Sequence, residues 1–481
     1  MGVLLGIDQG TTGTRACLVD GKGLVVRNAY AKHRQIMPGP GRIEHDADEI
    51  WACTRRVIRE VVHPGRPDGI ALANQGETIL VWDARTRRPL HHALVWSDTR
   101  TEAFIGRLAA DPANVALVRE ATGLRLDAYF SAAKLRWLLD EVPGARELAA
   151  AGQLRAGTLD TWLVDRLTAG AVFATDASTA ARTLLCDTRT LTWSAELLAL
   201  FGIPEGILPE IRATDAGFGT CVGNGLDGVP IVASLVDQPA ALAGQGCIDR
   251  GDAKATFGTG CFVYVNTGSE RAAGDGVLST VAWQRGGQTC YALDGGVLAV
   301  GSAIDWIRGL GLVGTNDPLP IARDPELVCV PALVGLGAPH WDRAARGAWL
   351  GMSSATTAAD LAGALIEGVA CRVAEVVRAV EHAAGITVDE LRVDGGLTRS
   401  AELMQLQADL LGRPLLVADE DEATAIGACA IAALARGELT PDQLRARKTR
   451  GGARYEPRIS ADERDARLAR FARALALVRR Y

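Results

Sequence analysis

The sequence predicts an α/β chain folded as two large domains or several smaller ones, on three observations. Its 481 residues exceed what a single hydrophobic core supports. Short apolar runs alternate with helical patterns along most of the length. A strand–turn–strand unit built on a glycine/threonine turn occurs twice, near the N-terminus and again at residues 253–267.

Residues 3–7 (VLLGI) form an apolar run that ends at Asp8 and the turn QGTTGT. Residues 15–19 (RACLV) return, which predicts an antiparallel hairpin. Asp46 and Glu49 read as a capping box, and Ile50, Cys53, Val57 and Val61 then share a helical face. Residues 230–236 (PIVASLV) read as a buried strand that delivers Asp237 at its C-terminal end. The second half opens near residue 250 with AKATFGTGCFVYVNT, two short strands around another glycine/threonine turn. Residues 361–380 place Leu361, Leu365, Val369, Val373, Val376 and Val380 on one face of a long helix. Leu391–Val393 is a short strand, Gly395-Gly396 a turn, and Leu403, Leu406 and Leu410 mark the next helix. The arginine-rich tail from 444 to 481 alternates arginines with acids around Leu468, Phe471 and Leu475, the pattern of a terminal helix.

Composition excludes several classes. A formal charge of -6 and a pI near 5.8 provide no basic field for a nucleic acid. Ten cysteines include no CxxC pair, so neither a zinc site nor a redox pair is indicated. Thiols scattered in apolar runs read as small buried hydrophobes and fit a reducing cytoplasm. MGVLLGIDQG lacks the basic and long apolar regions of a signal peptide, and no run of apolar residues is long enough to span a membrane.

The segment Asp8-Gln9-Gly10-Thr11-Thr12-Gly13-Thr14-Arg15 carries the first chemistry. Glycines let backbone N–H groups approach phosphate oxygens, threonine hydroxyls add donors, and an arginine adds a permanent bidentate cation. Asp8 is a hard oxygen ligand suited to magnesium. Taken alone, the segment is equally a plain hairpin turn. No GxxxxGK[ST] occurs, so this is not a P-loop. Gly223-x-Gly225-x-x-Gly228 precedes a strand instead of following one and reads as a loop with chance glycines.

The chain resembles the FGGY family of carbohydrate kinases, and within it the glycerol kinases, over nearly its whole length. The resemblance is carried by the Asp8–Arg15 loop, IEHDADEIW (43–51), NQGET (74–78), LVWSDTRT (94–101), ATGLRLDAYFSAAKLRWLL (121–139), GTLDTWLV (157–164), ASTAARTLL (177–185), VDQPAALAGQGC (236–247), ATFGTGCFVYVNTG (255–268), GLGAPHWDRAARG (335–347), VDGGLTRSAELMQLQADLLG (393–412) and EATAIGA (422–428). It implies two actin-like (ribonuclease H-like) ATPase domains facing across a cleft, here residues 1–246 and 247–481. ATP and magnesium would bind in the cleft, beside a polyol held on the first domain. Thr11, Thr12, Gly13 and Arg15 would bind the ATP phosphates and Asp8 the magnesium. Thr259, Gly301, Gly396 and Ser400 would complete the nucleotide site; Ser400 and Asp305 depart from the asparagine and glutamine usual there. Gly76, Glu77, Trp96, Tyr129, Gln238 and Phe262 would line the polyol pocket, and Asp237 would take the proton from the accepting hydroxyl. The resemblance also implies a homo-oligomer, dimer or tetramer.

One departure bears on the substrate. Asn74-Gln75-Gly76-Glu77 stands where glycerol kinases usually carry Asn-Gln-Arg-Glu. Losing that arginine removes donors worth about 1–3 kcal/mol and is expected to open space. Glycerol is then the leading acceptor, and a longer polyol or ketose (erythritol, threitol, xylitol or xylulose) is the alternative. A second departure concerns regulation. Gly223–Gly228 lacks the arginine and glycine pairs of the loop that binds fructose 1,6-bisphosphate in regulated relatives. Assays with millimolar fructose 1,6-bisphosphate are expected to show no inhibition. The competing function classes are an actin-like ATPase without a small-molecule acceptor and a polyol sensor without turnover. An ATPase has no use for Glu77, Trp96, Tyr129 and Gln238 around Asp237, and a sensor has no use for Asp8 and Asp237 together.

Overall fold

The computed structural model describes residues 2–62, 65–315, 317–321, 323–418, 422–449 and 451–481. Two central sheets organise it. The first contains strands β1 (Leu4–Gln9), β2 (Gly13–Val19), β3 (Val25–Lys32), β4 (Gly69–Asn74) and β5 (Ile231–Val236), in the order β5-β4-β1-β2-β3. The second contains β6 (Ala253–Phe257), β7 (Cys261–Gly268), β8 (Leu278–Arg285), β9 (Gln288–Val297), β10 (Leu391–Asp394), β11 (Leu415–Val417) and β12 (Arg454–Tyr455), in the order β8-β9-β7-β6-β10-β11-β12. Each sheet thus has an antiparallel hairpin, β1–β2 or β6–β7, flanked by two parallel strands, β4 and β5 or β10 and β11. This is the repeat visible in the two glycine/threonine turns.

The parallel strands are apolar because both faces are covered. β4 (GIALAN) is buried at every position, and β1 is buried at all but Asp8. Register places Asp8 beside Ala73 and Asn74 beside Val236, so the C-terminal ends of β1, β4 and β5 lie along one sheet edge. In α/β sheets that edge is where ligands bind.

Most predicted elements are present. Asp46 caps the helix Ala47–Val62 by accepting from the N–H groups of Asp48 (2.9 Å) and Glu49 (3.2 Å). The Glu49 carboxylate pairs with Arg34 instead of closing a capping box. The long helix runs Ala358–Ala384, further than predicted, because Thr357 and Asp360 form a full capping box and Gly385 ends it in a left-handed turn. The terminal helix Ala461–Val478 buries Leu468, Phe471 and Leu475 in the core of the second sheet. The ten cysteines are all free, eight of them buried. Among the described residues no helix is long and apolar enough to cross a membrane.

The helix Ala423–Ala435, late in the chain, packs on the helix Asp237–Gly244 and against β1 and β4. Glycine at the crossing permits the approach. A Cβ on Gly427 would stand 1.8 Å from the Ala240 carbonyl oxygen, and one on Gly244 would stand 2.0 Å from that of Ala423.

Candidate active site

Asp237 follows β5 and is the first residue of the helix Asp237–Gly244. The strand end is fixed from the side: the Val236 N–H donates to Ser178 Oγ (3.0 Å), whose hydroxyl donates to buried Asp176 (3.0 Å). Burial raises the Asp237 carboxyl to about 6, helped by the nearby negative charge of Glu77 and opposed by Lys254. Asp8, two strands away on the same edge, is raised to about 7 by burial and by Asp237. Crowded, partly desolvated carboxylates of this kind are the setting a divalent cation relieves. Among the described residues no group of three or more histidine, cysteine or acidic side chains is arranged for a metal. Magnesium typically binds through one or two carboxylates and completes its shell with phosphate oxygens and water.

The predicted polyol residues converge beside Asp237. The rings of Trp96 and Tyr129 have centroids 5.3 Å apart, and Trp96 and Phe262 6.4 Å apart. Trp96 also reaches the phosphate loop: its Nε1 donates to Thr11 Oγ1 at 2.9 Å. Buried Lys134 donates to the carbonyls of Trp96 (3.2 Å) and Tyr129 (2.9 Å), holding the two aromatic segments together. The Gln238 amide oxygen accepts from Lys254 Nζ, which leaves its NH2 group as the free end. Lys254 is wholly buried, donates also to Thr256 Oγ1 (2.7 Å), and has its pKa lowered by burial against the pull of Asp394 and Asp237.

Gly76 does not open the space expected of it. A Cβ there would meet Val236 Cγ1 at 3.1 Å and Arg182 Cγ at 3.3 Å, because those two side chains already fill the place. Arg182 donates through Nε to Glu77 at 2.6 Å, and burial outweighs that pairing to raise the Glu77 carboxyl.

The nucleotide residues fall into two groups. Thr12 and Thr259 are exposed at the two glycine/threonine turns, and Gly13 is buried with its Cβ position filled by Ala31 and Tyr30. The Thr259 carbonyl accepts from the N–H groups of Val300 (2.9 Å) and Ser302 (3.2 Å), which brings Gly301 onto the second turn. Gly396 is exposed with open space beside it, whereas Gly395 (φ +97°) packs against Phe257, where only glycine fits. Two expectations are altered. Arg15 is paired with Glu422 and lies over the Tyr30 ring instead of standing free for a phosphate. The Ser400 hydroxyl caps the helix Ala401–Leu411, accepting from Leu403 N–H (3.3 Å) and donating to Glu402 (3.0 Å).

Arg182 and Lys254 are among the charged residues of this site that the sequence patterns do not single out. Their signal is a cation inside a run of small and apolar residues, ASTAARTLL and AKATF. Such a charge, once buried, has to be paired.

Two family models match the chain: the N-terminal domain of the FGGY family of carbohydrate kinases over residues 3–244 and its C-terminal domain over residues 253–436. The chain belongs to the FGGY family. Curated relatives named glycerol kinase include those of Alkalilimnicola ehrlichii, 45% identical over 99% of this chain and 98% of the relative, and of Thermus brockianus, 44% identical over 99% and 98%. Among solved structures, Plasmodium falciparum glycerol kinase with ADP is 29% identical with a TM-score of 0.93, covering 99% of this FGGY chain and 98% of that one. A xylulose kinase from Rhodospirillum rubrum, 24% identical with a TM-score of 0.85 over 99% of both chains, shares the fold.

Proposed function

We propose that this FGGY kinase transfers the γ-phosphoryl group of ATP to a terminal hydroxyl of glycerol. The hydrogen bond from Trp96 to Thr11 carries the reading, because it joins an aromatic-walled acceptor pocket to a phosphate loop. An ATPase without an acceptor has no use for that link. The full-length similarity to glycerol kinases and the filled space at Gly76 favour a three-carbon acceptor over longer ones.

In this mechanism Asp237 accepts the hydroxyl proton as the new oxygen–phosphorus bond forms. The bond from the γ-phosphorus to the bridging oxygen breaks, and ADP leaves with that oxygen. Gln238 and Glu77 orient the acceptor by hydrogen bonds, while Trp96, Tyr129 and Phe262 cover its carbon chain and exclude water. Thr11, Thr12 and Thr259 donate to phosphate oxygens from the two turns. Arg15 does so by exchanging Glu422 for phosphate. Gly301 and Gly396 leave room for the nucleotide, with Ser400 at its margin. Magnesium would be held by Asp8 together with phosphate oxygens and supplies charge neutralisation there. The division at residues 246/247, a cytoplasmic location suited to free thiols, and a homo-oligomeric assembly belong to the same reading. Light scattering on the purified protein tests the last of these.

The test is a coupled-enzyme panel of glycerol, erythritol, threitol, xylitol and xylulose. Glycerol is expected to give the highest kcat/KM. Glycerol ranking far below another acceptor overturns the substrate, and ATP turnover indifferent to every acceptor overturns the kinase.

A further inference from the structure

Arg182 does more than neutralise Glu77. Its Nη1 donates to Asp294 Oδ2 at 2.7 Å, and the Tyr264 hydroxyl donates to the same oxygen at 2.9 Å. Glu77 follows β4 of the first sheet, whereas Asp294 lies on β9 and Tyr264 on β7 of the second. The arginine therefore bridges carboxylates from both halves, and all four residues are buried. Its guanidinium carbon sits 5.9 Å from the centroid of the Tyr129 ring. Two of its five N–H donors are used in these pairs, and three remain.

Those donors have somewhere to go. Tyr129, Arg182, Phe262 and Asp294 line a common cavity of about 30 Å³, room for one or two water-sized groups. Tyr129 and Phe262 are two of the aromatics assigned to the acceptor. The stem of Arg182 also occupies the space into which a side chain at position 76 would run, as the 3.3 Å approach to its Cγ shows.

We propose that Arg182 is a specificity-determining residue: it binds a non-reacting hydroxyl of the acceptor and, through Asp294, couples acceptor binding to the position of the second half. The inference rests on the polyol-kinase reading above. A hydroxyl in the cavity accepts from the guanidinium and donates to Asp294, the carboxylate that lines it. Because Asp294 belongs to the other sheet, an acceptor seated on Arg182 also favours the arrangement in which the nucleotide-facing turns meet.

Steady-state kinetics on Arg182→Met, Arg182→Lys and Asp294→Asn test this, with KM measured separately for acceptor and ATP. Arg182→Met is expected to raise the acceptor KM by about 10–150-fold, the loss of a charge-assisted hydrogen bond. The ATP KM should change far less, since no phosphate contact is removed and only the coupling through Asp294 is lost. Arg182→Lys should recover part of the loss. Adding Gly76→Arg to Arg182→Met should also recover part of it, by supplying a guanidinium from the adjacent strand end. Asp294→Asn keeps the volume and tests the bridge alone: the factor by which acceptor tightens binding of a non-hydrolysable ATP analogue should fall. An unchanged acceptor KM in Arg182→Met overturns the contact. If that variant does not fold, unchanged acceptor KM and coupling in Asp294→Asn overturn the proposal. All measurements use whichever polyol gives wild type its highest kcat/KM. Failure of glycerol as substrate is thereby read separately from failure of Arg182.

Discussion

Replacing Asp237 by asparagine is expected to lower kcat by about 10²–10⁴-fold, the usual contribution of a positioned general base, while ATP binding is retained. The substitution keeps the shape of the side chain. Its amide oxygen can still accept from the Gln238 N–H, which now donates to Asp237 Oδ1 at 2.6 Å, so the helix start is preserved. The pH profile gives a second readout. Turnover needs the ionised carboxylate, so kcat should fall as pH drops through about 6, the value to which burial and Glu77 raise Asp237. The sign for stability is opposite. This carboxyl is raised from 3.8 to about 6 on folding, so the folded state holds its proton more tightly than the unfolded chain. Its stabilising contribution is complete below about 4 and lost as pH rises through about 6. Asp237→Asn should therefore have a Tm at pH 7.5 equal to or above that of wild type. Substantial residual turnover, with the acid limb unmoved, would show that another group takes the proton.

The second large effect is expected at the crossing of the helices Asp237–Gly244 and Ala423–Ala435. Valine at position 427 needs a Cβ where the Ala240 carbonyl oxygen stands, at 1.8 Å. The nearest atoms, Ala240 O and Gly244 N, are backbone, so no side chain can swing aside. The helices must separate, at a cost of about 1–3 kcal/mol or more for overpacking. The helix that the new side chain presses against begins with Asp237, so a shift there reaches the proposed base. Gly427→Val should thus show both a Tm several degrees lower by calorimetry and a reduced kcat in the protein that remains folded. Gly106→Ala is the control: that glycine lies in the helix Glu102–Ala109 with nothing near its Cβ. It should match or slightly exceed wild-type stability, through helix propensity alone. Equal losses in both variants would argue that the crossing is not tight in solution.

The fold was legible where local chemistry and burial agree. β1 and β5 are short apolar runs closed by polar turn residues, and their period and punctuation suffice to place Asp8 and Asp237. The aromatic pocket was legible only through the resemblance, since Trp96 and Tyr129 have no local pattern that separates them from core residues. Arg182 was not legible because its partners lie 105 and 112 residues away in sequence. For the same reason Gly76 looked like a vacancy. The side chain that fills it comes from the end of a different element, and no spacing rule connects the two. Arg15 and Ser400 have partners that the sequence does not show. The resemblance places both at the nucleotide, and in the structure Arg15 pairs with Glu422 and Ser400 caps the N–H of Leu403.

The two sheets invite a strand-by-strand comparison. β5 is followed by Asp237, whereas β11, which occupies the corresponding place beside β10, is followed by Ala418. β10 ends in Asp394, and Gly395 and Gly396 form the turn that follows it. A pseudo-symmetric scaffold thus carries an asymmetric reaction. On the proposed reading both halves present a glycine/threonine turn to the phosphates, and the first supplies the proton acceptor, Asp237. The proposed mechanism thus implies one acceptor and one nucleotide per chain, however closely the halves resemble each other.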